Sequence, residues 1–458
     1  MTVRCCAILI ILSALAAPPF PTAAHAAKSA GGYGALVPDP AGLVDLPAGF
    51  AYKIVARAGE EMADGLVVPA SPDGMGAFAG PGGTTIVVCN HENLWPKDGA
   101  FGTRLELLGH VETAKIYDLG YGVAPAPGGT TTIVWDTRTQ SLVRQYLSLA
   151  GTIDNCGGGT TPWGSWLTCE EITHRAGMHE NGKVQLQQDH GFIFEVPAGA
   201  EPQLAPPIPL TAMGRFTHEA VAVDPRTGIV YETEDLKDGL FYRFIPDARG
   251  DLRAGRLQAL AFADGRRTTR NWPADSVRVA VGTKLAVKWI DMDHVDSPND
   301  DLRERGHDLG ASLFARPEGV CMMDGAVYFT CTAGGKTQIG QIWRYLPGES
   351  EGMAGEKGAP GHIELLVETA DSTQLLHPDN ITAAPWGDLT VCEDPGMTVF
   401  ARLVGVTRSG ATYTFARARV RGEFAGATYS PDGSTLFVNL QQAGFTFAIT
   451  GPWKKGWR

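Results

Sequence analysis

One short pattern recurs six times along this chain, and it limits the possible folds more than any other feature. A turn, an apolar run and then polar or acidic residues make up Gly83–Glu92 (GTTIVVCNHE), Trp163–Glu171 (WGSWLTCEE), Thr227–Asp235 (TGIVYETED), Asp324–Thr332 (DGAVYFTCT), Trp386–Asp394 (WGDLTVCED) and Asp432–Leu440 (DGSTLFVNL). Most copies lead into a second β-rich run: Thr131–Thr137, Gly191–Pro197, Gly239–Pro246, Gly340–Pro347 and Gly444–Thr450. Copies start roughly 50 to 100 residues apart, which suits four-stranded units carrying unequal loop insertions. The expected fold is therefore all-β, a six-bladed β-propeller with loop insertions, forming one domain over residues 27–458. Two β-sandwich domains are the alternative, but they leave six like units without a linker unexplained. Composition agrees, since 57 Gly and 30 Pro in 458 residues favour many short strands and turns over long helices. Insertions are expected at Lys97–Pro127, at Leu346–Gly361 and at Arg253–Leu313, the last with extra strands and an acidic loop.

The first 26 residues read as an export signal. Arg4 supplies the positive start, Ala7 to Ala17 the apolar run and Ala24-His25-Ala26 a small-x-small cleavage pattern. No apolar segment reaches the roughly 20 residues of a membrane-spanning helix. A periplasmic or secreted protein without a transmembrane segment is expected. The formal net charge of −12 leaves no basic surface for a nucleic-acid duplex. Cys5 and Cys6 leave with the signal, and Cys89, Cys156, Cys169, Cys321, Cys331 and Cys392 remain, an even number that permits disulfides. Against pairing, Cys89, Cys169, Cys331 and Cys392 sit in apolar β-like runs, where a free thiol behaves as a small hydrophobe. Cys156 lies instead in the polar turn Asp154–Gly159, where a thiolate could face a metal.

In a propeller the innermost strands line a central channel, so residues at one register form a ring. The residue after each apolar run gives Asn90, Glu170, Glu234, Thr332 and Glu393; 14 or 15 residues upstream of the last four stand Cys156, Glu219, Glu318 and Asp379. Glu423 is a further candidate. Carboxylates converging at one end of a channel raise one another's pKa unless cations neutralise them. Oxygen ligands suit Ca²⁺, and a thiolate with Glu suits iron or zinc. Some of these acids could instead cap turns or bond neighbouring blades.

The motifs CNHE at 89–92, NCGGGTTPWGSWLTCEE at 155–171, GRFTHEA at 214–220, RPEG at 316–319, HPDN at 377–380 and CED at 392–394 together resemble the PhoX-type alkaline phosphatases. The resemblance spans nearly the whole mature chain. It implies a monomeric, exported six-bladed propeller that hydrolyses phosphomonoesters at alkaline pH using Ca²⁺ and a pair of ferric ions bridged by a cysteine thiolate. It assigns Cys156 to the bridge, makes Glu170, Glu219, Glu234, Glu318, Asp379 and Glu393 candidate metal carboxylates, and puts Arg316 on the substrate phosphate. That family is usually exported by the twin-arginine route, whereas this leader carries only Arg4 and looks like a Sec signal.

For a phosphomonoester, charge must be neutralised at three non-bridging oxygens while a nucleophile attacks in line. Arg316 offers a planar fork for phosphate, or a partner for a neighbouring acid. Arg215 is a weaker second candidate. His91 and His218 adjoin ligand positions and read as hydrogen-bonded wall residues more readily than as ligands or proton donors. The acidic run Asp291–Asp301 lacks the Gly and final Glu of an EF-hand, so it reads as an exposed loop first and as an outlying Ca²⁺ site second. A calcium-dependent lactonase or esterase propeller remains as an alternative, although a single-calcium hydrolase has no use for Cys156 or for a phosphate-directed Arg316, and so does a non-catalytic binding propeller in which the acids are only structural.

Overall fold

The six apolar runs of the repeat are strands at Thr84–His91, Ser165–Glu170, Val230–Glu234, Ala326–Cys331, Leu389–Glu393 and Thr435–Leu440. They are rich in β-branched and aromatic residues, and nearly every position is buried, as in sheets covered on both faces. The computed structural model describes residues 32–179 and 182–454. The export signal expected at 1–26, with Cys5 and Cys6, lies outside the described residues.

Each run pairs antiparallel with a strand just upstream of it. These upstream strands are Pro72–Ala79, Asn155–Thr160, His218–Val223, Pro317–Met323, Pro378–Ala383 and Phe424–Tyr429. Each touches the next in chain order, and the sixth returns to the first. They are the inner strands of a propeller-like ring and surround its channel.

Outward pairing is less regular than the repeat suggests. The first sheet has four strands, ending with Gly128–Asp136 and Ser141–Thr152. The second stops at three, with Ile193–Pro197 outermost. Beyond it the chain carries Pro202, Pro206, Pro207 and Pro209, which lack ladder donors, and it pairs with the sheet at the isolated Phe194–Pro209 bridge. The third and fourth are joined, because Lys284–Asp291 pairs with Asp251–Phe262 on one side and His362–Glu368 on the other, making a nine-stranded sheet. That joining strand comes from the 253–313 insertion, which also holds the short helix Leu302–Leu309.

The N-terminal residues close the ring twice over. Ala51–Arg57 pairs with Phe445–Thr450 as the fourth strand of the last sheet, and Val44–Pro47 pairs with Thr412–Ala418 of the sheet before it. Other insertions are fastened by charge. Arg243 is buried and bonds Glu351 (2.6 Å) and Glu356 while stacking over Trp289 (4.4 Å), which pins the 346–361 loop. The acidic loop at 291–301 is held by Arg305, bonded to Asp293 (3.0 Å) and Asp301 (3.1 Å).

Apolar clusters fill the seams between sheets. Between the third and fourth, Phe241 stacks on Phe329 with centroids 4.4 Å apart, and Phe314 and Trp343 pack around them. The six cysteines are free thiols and all but the half-buried Cys321 are buried, so no disulfide forms among the described residues. Removing the Phe329 ring leaves a seam cavity that the continuous nine-stranded sheet cannot collapse. Phe329→Ala is expected to cost about 3–5 kcal/mol of unfolding free energy; a denaturant midpoint equal to that of the parent protein would contradict this packing.

Candidate metal centre

Every inner strand is bulged at the same place. Pairing to the neighbouring strand skips between Pro72 and Met75, Asn155 and Gly158, His218 and Val221, Pro317 and Val320, Pro378 and Ile381, and Ala425 and Thr428. The first residue passed over is Asp73, Cys156, Glu219, Glu318, Asp379 and Gly426 in turn. A bulge re-aims a side chain and ends regular pairing, and five of these six positions carry a metal-ligand group. The ring is tight enough to dictate the next residue. A Cβ on Gly157 would lie 2.6 Å from the Glu219 carbonyl oxygen, and one on Gly74 would lie 2.7 Å from that of Cys156.

The residue entering the strand is also unusual. Ser71, Asp154, Arg316 and His377 have φ of 47°, 53°, 54° and 46°, left-handed values that cost a non-Gly residue of order 1 kcal/mol each. Asp154 and Arg316 hold equivalent positions, and both reach the charged groups described next.

Four groups of three ligands have atoms all within 4.8 Å of one another: Cys156, Glu171 and Glu219; Asp73, Glu92 and Glu423; Glu92, Asp154 and Glu171; and Glu219, Glu318 and Asp379. Shared members make this one continuous acidic basin. Burial, then the neighbouring carboxylates, holds Asp73, Glu171, Glu219, Asp379 and Glu423 above the usual carboxylate range. Burial first and the Glu219 carboxylate second push the Cys156 thiol well up. Asp73 Oδ1 is buried with no hydrogen-bond partner. This donor set fits cations: buried, mutually repelling oxygens with an orphaned lone pair, plus one thiol that a coordinated metal would convert to thiolate.

The structure brings Cys156, Glu219, Glu318 and Asp379 together with Glu423. It places Asn90, Glu170, Glu234 and Glu393 elsewhere. Asn90 is buried, donates to the carbonyls of Cys156 (2.8 Å) and Gly157 (2.5 Å) and accepts from Trp166 (2.8 Å), so it ties the second inner strand to the first sheet. Glu170 accepts from the backbone of Ile153, Gly191 and Phe192; Glu234 from Leu240 N and Tyr242; Glu393 from Leu376 N and Arg402. Successive strand residues face opposite sides, so the basin receives the neighbouring acid instead: Glu171 after Glu170, and Asp235 after Glu234. Sequence reading also missed Asp73, Glu92 and Asp154. Ser71-Pro72-Asp73-Gly74 repeats the form of Arg316-Pro317-Glu318-Gly319, a signal that would have found Asp73.

Arg316 brings a guanidinium into the basin. Its Nε and Nη2 fork onto Asp235 (2.9 and 2.5 Å), and Nη2 also lies 2.7 Å from Glu318, leaving Nη1 outside the fork. Arg215 is committed to the carbonyls of Ser297 (3.0 Å) and Thr173 and does not join the acids. His91 bonds Ala70 O (3.0 Å) and Thr131 Oγ1 (2.9 Å), and burial takes it down to about 4. His218 bonds Gly214 O (3.2 Å), packs on Phe216 and is likewise lowered by burial, to about 3. Both are wall residues here.

Asp154 is raised to about 8, by burial first and the Glu92 charge second, from 3.8. A group whose folded pKa lies above its unfolded one gives stability that is present at low pH and is lost as pH rises through the folded value. Metal-free protein is therefore expected to lose melting temperature between about pH 4 and about pH 8, with Asp154→Asn flattening part of the slope. Thermal unfolding in chelator across that range checks it; a profile that rises toward alkaline pH would refute the arrangement.

Two solved structures show a distant likeness. A gluconolactonase from Xanthomonas campestris shares 11% identity at a TM-score of 0.38, over 92% of this chain and 98% of its own. A protein described as a candidate 6-phosphogluconolactonase from Bacteroides uniformis shares 11% at 0.37, over 86% and 90%. Neither value supports an argument about function. No curated protein matches. Comparison with known families is decisive: alkaline phosphatase PhoX matches residues 31–444, nearly the whole length, and the chain belongs to that family.

Proposed function

We propose that this protein is an exported, metal-dependent phosphatase that hydrolyses phosphomonoesters at alkaline pH and releases inorganic phosphate. The scaffold is read as a six-bladed propeller of 27–458, since six inner strands close the ring despite the joined third and fourth sheets. The observation that carries the reading is the convergence of Cys156 with Glu171 and Glu219 beside Arg316.

The oxygen-only groups suit Ca²⁺, and the group containing Cys156 suits ferric iron. Such cations, when bound, neutralise phosphate oxygens and acidify the attacking water. The protein's own part is to hold the charges. Cys156, Glu171 and Glu219 would hold the thiolate site, while Asp73, Glu92, Asp154, Glu318, Asp379 and Glu423 would hold the others. Asp235 fixes the plane of the Arg316 guanidinium, so that Nη1 can meet a phosphoryl oxygen without reorganising. The protein is read as a periplasmic or secreted monomer acting on small phosphomonoesters.

Purified mature protein supplied with Ca²⁺ should hydrolyse an aryl phosphomonoester at alkaline pH and lose that activity to a chelator. Metal-replete protein with no turnover would sink the reading and bring forward a lactonase assay or a binding role. Arg316→Ala should lower kcat/KM about 30- to 100-fold, the loss of one charge-assisted hydrogen bond worth ~2–3 kcal/mol. Parental kinetics in that variant would remove Arg316 from the phosphate.

A further inference from the structure

His190 is fully buried and bonded at both ring nitrogens. Its Nδ1 lies 2.7 Å from Glu170 Oε1, and its Nε2 lies 3.3 Å from Asp118 Oδ2. Both partners are acceptors, and both are themselves pinned by backbone donors. Glu170 takes the N–H groups of Ile153 (3.0 Å), Gly191 (2.9 Å) and Phe192 (3.2 Å). Asp118 takes those of Gly120 (2.8 Å), Gln187 (2.8 Å) and Gln188 (2.9 Å). Tyr117 closes the ring edge-on at 5.2 Å. Three segments therefore meet at this clamp: the 97–127 insertion through Asp118, the end of the strand Ser165–Glu170 through Glu170, and, bonded to Glu170 in turn, the approach to the second inner strand at Ile153.

Two of those segments carry basin ligands one residue from the clamp. Asp154 follows Ile153, Glu171 follows Glu170, and the Glu171 N–H donates to the Asp154 carbonyl (3.0 Å). We infer that His190 is a positioning residue: by holding Glu170 between the insertion and the strand, it fixes the separation of the Asp154 and Glu171 carboxylates and so sets the cation affinity of the Glu92, Asp154 and Glu171 group. Glu170 thus serves the site from behind. This role rests on the cation reading proposed above.

The test is calorimetric titration of metal-stripped full-length protein with Ca²⁺ alone. His190→Gln can span only one of the two carboxylates, and Asp118→Asn weakens the longer contact from the other side. Both should weaken one class of Ca²⁺ sites about 10- to 100-fold, the range seen when a partner behind a metal ligand is lost, and leave the other classes as in the parent. Phe329→Ala, destabilised at the seam of the third and fourth sheets and not at the clamp, should keep the parent's affinity at the Glu92, Asp154 and Glu171 group. Parental titration curves for both clamp variants would overturn the role, as would a uniform weakening of every class. A parent protein that takes up no Ca²⁺ would end the cation reading itself, an outcome visible before any variant is made.

Discussion

Mutual repulsion among buried carboxylates is the constraint on which this structure turns. Two like charges 4.8 Å apart at an effective dielectric near 20 repel by about 3 kcal/mol, and the basin contains several such pairs in addition to the cost of burial. Arg316 alone cannot balance them. The conformations around the basin are also unfavourable in isolation: repeated bulges, left-handed φ at Ser71, Asp154, Arg316 and His377, and glycines that admit no side chain. Locally unfavourable choices that recur at one register of several sheets are those of a built site, because the surrounding apolar seams could equally have packed regular strands.

Ring closure and site assembly are one event. No sheet owns a complete ligand group: Cys156 and Glu171 come from the second and Glu219 from the third, while Asp73 and Glu92 come from the first and Glu423 from the lead into the last. That last group bridges the seam between the first and last sheets, the last being completed by Ala51–Arg57. A cation there opposes opening of the ring, so its binding free energy adds to that of folding. The long insertions obey the same logic. Arg243 fastens one through two acids of its own loop, Glu351 and Glu356, and His190 fastens another by joining Asp118 to Glu170, so in each case a buried side chain satisfies carboxylates remote from it in sequence.

Much of the fold was legible because the repeat repeats. All six apolar runs are strands within a few residues of their expected bounds, and the inner ring at Cys156, Glu219, Glu318 and Asp379 was found from spacing. What escaped was pleat phase. In Glu170-Glu171, Glu234-Asp235 and Glu393-Asp394 two adjacent acids end the strand, and sequence does not say which faces the channel; the bulge in the partner strand settles it. Nor could sequence show that Lys284–Asp291 would join two sheets, since that pairing is decided by which edges the insertion finds open. Asn90 failed for another reason, because a buried amide that links two sheets has the same residue type as a ligand.

Arg316 shows why the one-residue phase matters to chemistry. Its guanidinium has two acid neighbours with different jobs. Asp235 takes a bidentate grip on Nε and Nη2, geometry that a lysine ammonium could not reproduce. Glu318 touches the same Nη2 at 2.7 Å but also belongs to the group with Glu219 and Asp379. A cation on Glu318 and the guanidinium therefore compete for one carboxylate. Were a cation to take a larger share of that charge, the pull of Glu318 on Arg316 would weaken while the Asp235 fork persisted, so the guanidinium would keep its place with more of its charge available to an anion. Had the phase been the other, with Glu234 in the basin and Asp235 turned into the sheet, Arg316 would have had Glu318 alone, and neutralising that acid would have released the side chain instead of aiming it.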